Sequence, residues 1–315
     1  MSEQLKPDAK PLMTLSIEDF APVTEKREME VISRKSLSAW QDAWQRLRKN
    51  KVAMAGLCFL LILGIMAIIG PYISGYDYYT NDLMNTNKPP SSEHWFGTDD
   101  FGRDMFTRTW KGASISLQVG IYAALIDVFV GVVYGGIMGY FGGRIDNVMN
   151  KFAEILYSIP YLLIVIILIV VFEPSMFTIV LALGLTGWVN MAWMVRGQIM
   201  QLKNQEYVLA SKSLGAGAFR ILFKHLIPNA MGPIIVTLTL SVPSAIFAEA
   251  FLSFLGLGVQ SPAASWGSMI NDALSSWRIF PWRMLFPAVL ISLTMLAFNV
   301  FGDGLRDALD PKMKR

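Results

Sequence analysis

The chain has 315 residues, of which 53% are hydrophobic and only 16% charged, with a net charge of +3 and a mean hydropathy of +0.43. Soluble domains carry about 25% charged residues, so an ordinary globular protein is excluded and an all-α, polytopic membrane protein is expected. The basic residues form no stripe interleaved with aromatics, which excludes nucleic-acid binding, and the single cysteine, Cys58, allows neither an internal disulfide nor a cysteine metal site.

Residues 1–35 are polar, mixed in charge and without an apolar segment, and read as a disordered tail rather than a signal peptide. Residues 36–52 place Trp40, Trp44 and Leu47 on one helical face before a basic cluster, the pattern of a helix lying on the membrane surface. Six apolar runs follow, at about 53–74, 113–141, 152–172, 176–196, 229–256 and 284–302; each supplies the ~20 residues that a spanning helix needs. Six of the 27 Lys and Arg residues (Lys88, Arg103, Arg108, Lys111, Arg278 and Arg283) fall in segments 75–112 and 257–283. The positive-inside rule puts those two segments outside. Both termini, the 142–151 turn and the 197–228 loop are then cytoplasmic.

In the second run Gly131, Gly135 and Gly139 recur every four residues, leaving one helix face bare for close approach by a neighbour. Prolines 160, 233, 243 and 287 fall in or beside the spans, where neighbouring groups must satisfy the freed carbonyls. Asp127 and Glu249 sit inside apolar runs, where an ionisable group costs about 3 kcal/mol or more. Each either faces a watery path or is hydrogen-bonded to a neighbouring helix.

Two polar stretches carry recognisable patterns. His94 to Ala113, HWFGTDDFGRDMFTRTWKGA, reads as an external helix capped by Thr98 or Asp99 after turns at Gly97 and Gly102. Glu206 to Asn229, EYVLASKSLGAGAFRILFKHLIPN, reads as two short helices: Gly215 and Gly217 break the first, and Pro228 stops the second. Such a loop either offers a knob to another protein or only covers helix ends. His225 reads as a polar residue at the loop end rather than a ligand, because His94, the other histidine, falls on the opposite side of the membrane.

The 206–229 loop resembles the cytoplasmic EAA loop of ABC importer permeases. Leu209-Ala210-Ser211 stands where the family has Glu-Ala-Ala, so the first Glu is absent. Gly215 falls on the family's Gly, and His225 to Pro228 on its Ile-x-Leu-Pro. Phe96, Gly97, Thr98, Asp99, Gly102, Arg103, Asp104 and Arg108 resemble the FGTDxxGRDxxxR segment of C-type permeases of peptide importers. Glu249 to Gly258 with Pro262 and Ser265-Trp266-Gly267, and Gly302 to Lys312, resemble two further stretches of that family. The resemblance covers roughly residues 90–312.

It implies a type I ABC importer permease in the cell membrane, half of a translocation pore for small peptides. The implied partners are a second permease subunit, two ATP-binding subunits and an extracytoplasmic substrate-binding protein. The coupling helix that docks on the ATPase would comprise Glu206, Tyr207, Leu209, Ala210, Ser211, Lys212, Leu214 and Gly215. Asp127 and Glu249 would be candidates for the translocation path, favouring a cationic peptide amino terminus. The chain contains no GxxxxGK[ST], HExxH, CxxC or GxSxG, so no phosphate loop, metal or nucleophile motif marks it as an enzyme. ATP and Mg are expected on the partner subunits, with no cofactor, metal or catalytic residue here. A proton-coupled secondary transporter using Asp127 and Glu249 is the alternative class, without the inverted repeats such folds carry. Nickel and glutathione are alternative cargoes within the resembled family.

Overall fold

The computed structural model describes residues 38–309, and within them every regular element is helical. The tail expected over 1–35 and residues 310–312 of the carboxy-terminal pattern lie outside the described residues. Five helices are individually long and apolar enough to cross a membrane, or up to six spans if a bent helix pair is counted as one.

Helix α1 (Ala39–Lys49) precedes α2 (Lys51–Ile73), with Asn50 between them accepting the amide of Ala53 through Oδ1 at 3.1 Å. Leu47 parts from Trp40 and Trp44, with which it was expected to share one helical face. It turns inward with Ala43 onto Ala53 and Ala308, while Trp40 and Trp44 stay exposed. The apolar stripe of α1 is therefore split between a protein contact and a free indole face. Helix α2 is apolar on all sides, as a lipid-bathed span is.

Helix α3 (Met105–Phe141) starts earlier than the expected 113 because Asp104 caps it. At ~1.5 Å per residue its 37 residues extend for about 55 Å, well beyond the ~30 Å hydrocarbon layer. Part of it therefore stands clear of the apolar layer, and the polar motif of residues 96–108 runs into its first turn.

The run expected as one span over 152–172 is broken. Helix α4 (Gly143–Ser158) already begins within the expected 142–151 turn, and α5 (Tyr161–Phe172) leaves it at 77°. Pro160 is the cause, since it offers no N–H and forces Ile159 out of the helical region, to ψ 125. The charged residues of α4 hid it from a hydropathy reading.

Helix α6 (Met176–Leu202) packs most extensively against α3. A Cβ at Gly131 would come within 2.6 Å of Met191, one at Gly139 within 2.8 Å of the Arg196 carbonyl, and one at Gly135 would run into the backbone of Ala192. The bare face thus serves packing inside this chain.

Beyond α6 come α7 (Glu206–Ser213), α8 (Ala218–Ile221), a π-turn at Leu222–Leu226 and α9 (Ile227–Asn229), which leads almost directly into α10 (Met231–Phe254). Pro228 does not end the helical path. The amide of Ile227 reaches back to the Leu222 carbonyl, and this widened turn accommodates the proline ring that a regular turn would crowd. Helix α11 (Trp266–Ala273) folds back onto α10, and α12 (Trp282–Leu309) closes the bundle against α2 and α10.

Candidate functional site

At one end of the bundle, α7 is anchored by a single buried side chain. Val208 is 3% exposed and belongs to one apolar cluster with Ile199 of α6, Ile221, Leu222 and Leu226 of the following turns, and Ile234 of α10. The helix ends in a Schellman turn: the amide of Ala216 bonds the Ser211 carbonyl at 3.1 Å and that of Gly215 the Lys212 carbonyl at 3.0 Å. Gly215 has φ +82, and a Cβ there would meet nothing within 4 Å. The turn needs glycine for its backbone, while the space beside it is open.

The remaining expected docking residues face away from the anchor. Tyr207 and Leu209 are half-exposed, Leu214 is 88% exposed, and Glu206, Ala210 and Lys212 lie on the surface with Ser211 partly covered. The Ser211 hydroxyl bonds back to the Tyr207 carbonyl at 2.8 Å. Phe219 and Phe223 are also exposed, with parallel rings 6.4 Å apart. Neither phenylalanine was singled out from the sequence. Their four-residue spacing within a run of apolar residues was the available signal.

At the other end, segment 75–104 folds into a cap in which the outer motif bonds to itself. The Asp99 carboxylate accepts the Arg103 and Phe101 amides at 2.9 Å and the Arg103 Nε at 2.7 Å, with Arg108 Nε at 3.3 Å. Asp104, rather than Thr98 or Asp99, caps α3, because its Oδ2 receives the Thr107 amide and hydroxyl at 2.8 Å. Its other oxygen meets His94 Nδ1 at 2.9 Å. The Thr98 hydroxyl is instead spent on the Asn85 carbonyl at 2.5 Å and the Lys88 amide at 2.8 Å. Gly97 and Gly102 take φ +76 and +74, and a Cβ on either would strike backbone, at Lys88 and Asp82 respectively. Arg283 of α12, buried in this cap, reaches Asp100 at 3.0 Å and Asn87 Oδ1 at 3.0 Å. The motif is a clasp for segment 75–104. Arg283 was read from the sequence only as an outer positive charge.

The two intramembrane acids lie in separate surroundings. Glu249 is wholly buried: Oε1 accepts the Ser253 hydroxyl at 2.6 Å and Oε2 the Ser116 hydroxyl of α3 at 2.8 Å. The Ser265 hydroxyl, which caps α11, bonds Ser253 at 3.1 Å. Trp266 adds a bond from Nε1 to the Thr109 carbonyl of α3 at 3.0 Å. The carboxyl thus joins α10, α3 and, through Ser253 and Ser265, α11. Asp127 lies partly buried on α3 against Gly187 of α6, where a Cβ would come within 2.5 Å of its Oδ1, and that oxygen has no hydrogen-bond partner among the described residues. Ser116 was not anticipated, and Ser253 and Ser265 entered only as parts of the resembled stretches, since a serine gives no sequence signal of what it bonds.

A third polar cluster was missed altogether. Asp146 of α4 pairs with Arg196 of α6, Trp193 Nε1 donates to Asn150 Oδ1 at 2.9 Å, and Lys203 Nζ donates to the Gly139 carbonyl at the end of α3 at 2.8 Å. His225 is partly exposed on the π-turn, where its carbonyl accepts the Asn229 side chain at 2.6 Å. Among the described residues no cluster of three His, Cys, Asp or Glu could hold a metal ion.

Residues 131–315 match the family described as binding-protein-dependent transport system inner membrane component, and residues 38–90 match the N-terminal TM domain of oligopeptide transport permease C. The chain is 60% identical over 294 residues to the dipeptide transport system permease protein DppC of Bacillus subtilis, covering 92% of this chain and 91% of the relative. It is 57% identical over 288 residues to the oligopeptide transport system permease protein OppC of the same organism, covering 91% and 94%. The OppC protein of Escherichia coli K12 is 42% identical over 299 residues, covering 94% and 96%. Among solved structures, an inward-facing form of the MetNI methionine ABC transporter superposes with a TM-score of 0.54 at 16% identity, over 63% of this chain and 94% of that one. At that identity the likeness shows the fold alone.

Proposed function

The chain belongs to the family of binding-protein-dependent transport inner-membrane components and is an ABC importer permease subunit, and from that premise we propose that it forms half of a pore for small peptides. Partner subunits hydrolyse the ATP. In this reading α7 seats in a groove of an ATP-binding subunit and passes its closure to the spans. The observation that carries the proposal is the two-sidedness of α7, buried at Val208 and exposed at Leu209 and Leu214. One side holds the helix to α6 and α10, so a push on the other side is transmitted rather than absorbed.

The Lys and Arg asymmetry supports placing the α7 end in the cytoplasm, where ATP is, and the cap of 75–104 outside, where a substrate-binding protein delivers cargo. The second half of the pore would come from a homologous permease subunit, and ATP and Mg would reside on the two ATP-binding subunits. Peptide cargo is favoured over nickel or glutathione because the relatives compared above are dipeptide and oligopeptide transport permeases. Family membership stands against a proton-coupled carrier. The experiment is uptake of labelled di- and oligopeptides in a strain lacking this chain, with affinity-tagged protein recovered in parallel. Restored, ATP-dependent peptide uptake and recovery of ATP-binding subunits with the tag support the proposal. Uptake that follows a proton gradient without those subunits overturns it.

A further inference from the structure

A cleft of about 840 Å³ opens at the α7 end, between α1, the start of α10 and the ends of α6 and α12. Met231, Val236 and Leu240 of α10 and Leu202 of α6 give it apolar lining, and Arg46 and Asp42 of α1 and Arg306 of α12 line it with charge. Arg46 spends one nitrogen on Asp42 at 2.9 Å, which leaves most of its five N–H donors free. Arg306 is exposed and has no ion-pair partner among the described residues. Asp303 and Asp307 are exposed on the same helix. Trp40 also lines the cleft and is 54% exposed. The basic residues Arg48, Lys49 and Lys51 follow at the junction of α1 with the first span.

Apolar lining beside two arginines, one of them paired with Asp42, with an exposed indole and the start of a span nearby, matches one amphipathic occupant. We propose that this cleft binds an anionic phospholipid, its phosphate between Arg46 and Arg306 and the upper part of an acyl chain along α10. The proposal rests on the reading that this end faces the cytoplasm, whose leaflet is anionic; basic pockets between helices on that side suit such head groups. Tryptophan favours the head-group level of a bilayer, which is where the lipid's phosphate would lie. A seated lipid would cover the gap between α1 and α10 and hold α1 against the bundle.

The test is photo-crosslinking of the full chain in nanodiscs doped with photoreactive phosphatidylglycerol or photoreactive phosphatidylcholine, with the labelled peptides mapped by mass spectrometry. Phosphatidylglycerol should label the 40–46 and 231–240 segments in preference to phosphatidylcholine. Each basic residue near the membrane surface strengthens anionic-lipid binding about five-fold, so Arg46→Gln with Arg306→Gln should cut that labelling by about 25-fold at low occupancy and leave labelling elsewhere unchanged. Arg306→Gln alone should cut it partially and guards against loss of α1 packing in the double variant. Equal labelling by both lipids, unchanged labelling in the variants, or no labelling of the cleft because a protein partner fills it would each overturn the proposal. If topology mapping puts this end outside, the functional reading fails separately.

Discussion

Asp146 holds Arg196 in a two-pronged ion pair, Nε to Oδ1 at 2.6 Å and Nη2 to Oδ2 at 2.7 Å, which bolts the first limb of the bent span to α6. Asp146 is nearly buried and Arg196 about one-third exposed, so the pair is worth about 1–2 kcal/mol rather than the larger value of a fully enclosed one. Asp146→Ala should lower the thermal stability of the detergent-solubilised chain by a few degrees. The reversed pair, Asp146→Arg with Arg196→Asp, should recover part of that loss. A chain indifferent to Asp146→Ala would remove the bolt from this account.

The contact of Gly135 with the backbone of Ala192 predicts a larger effect. No side-chain rotation relieves a clash with main chain, and overpacking costs about 1–3 kcal/mol or more. Gly135→Val should abolish a monodisperse peak in size-exclusion chromatography. Gly64→Val, where a Cβ meets nothing within 4 Å, should leave the peak intact.

Glu249 separates hydrogen bonding from charge. Removing its carboxyl orphans the Ser116 hydroxyl and leaves Ser253 with only the Ser265 hydroxyl in a dry interior, at about 1–3 kcal/mol for an unsatisfied group. Glu249→Ala should therefore reduce assembly and uptake together. Glu249→Gln retains the volume and one acceptor, and either serine can turn to receive the amide N–H, so assembly should survive. Uptake lost in a well-assembled Glu249→Gln protein would reveal a need for the charge itself, and unchanged uptake in Glu249→Ala would remove the residue from the site.

The glycine ladder, the α7 helix and five of the apolar runs were legible in the sequence because each rests on local periodicity or on an uninterrupted apolar stretch. What escaped were features created by distant residues meeting. Ser116 and Ser253 have no signal until the fold brings them to Glu249. The outer motif was recognisable as a pattern, yet Asp104 as the cap depended on where α3 begins. The break at Pro160 was visible as a proline in a span, but its 77° bend was not, because neighbouring helices decide whether a proline kinks or breaks. That Leu47 turns away from Trp40 and Trp44 escaped because Ala308 of α12, which it packs with, lies 261 residues away.

Topology can be read with impermeant thiol reagents in a Cys58→Ser background. Met84, 90% exposed in the outer segment, should react as cysteine from outside in intact cells. Lys212→Cys on α7 should react only after the membrane is opened. The reverse pattern would invert the orientation drawn from the Lys and Arg bias.

The central claim is that α7 meets an ATP-binding subunit through its exposed side. Cysteines replacing Leu209, Ala210, Leu214 and Gly215 one at a time, in the Cys58→Ser chain co-expressed with its partner subunits, test it most directly. The account predicts disulfide or short-linker crosslinks to the ATP-binding subunit from the exposed positions, with yields that change when ATP is bound. A cysteine at Val208, 3% exposed and facing the bundle, should stay silent. Absence of crosslinks from every exposed position, together with normal uptake by Gly215→Val, would contradict the account.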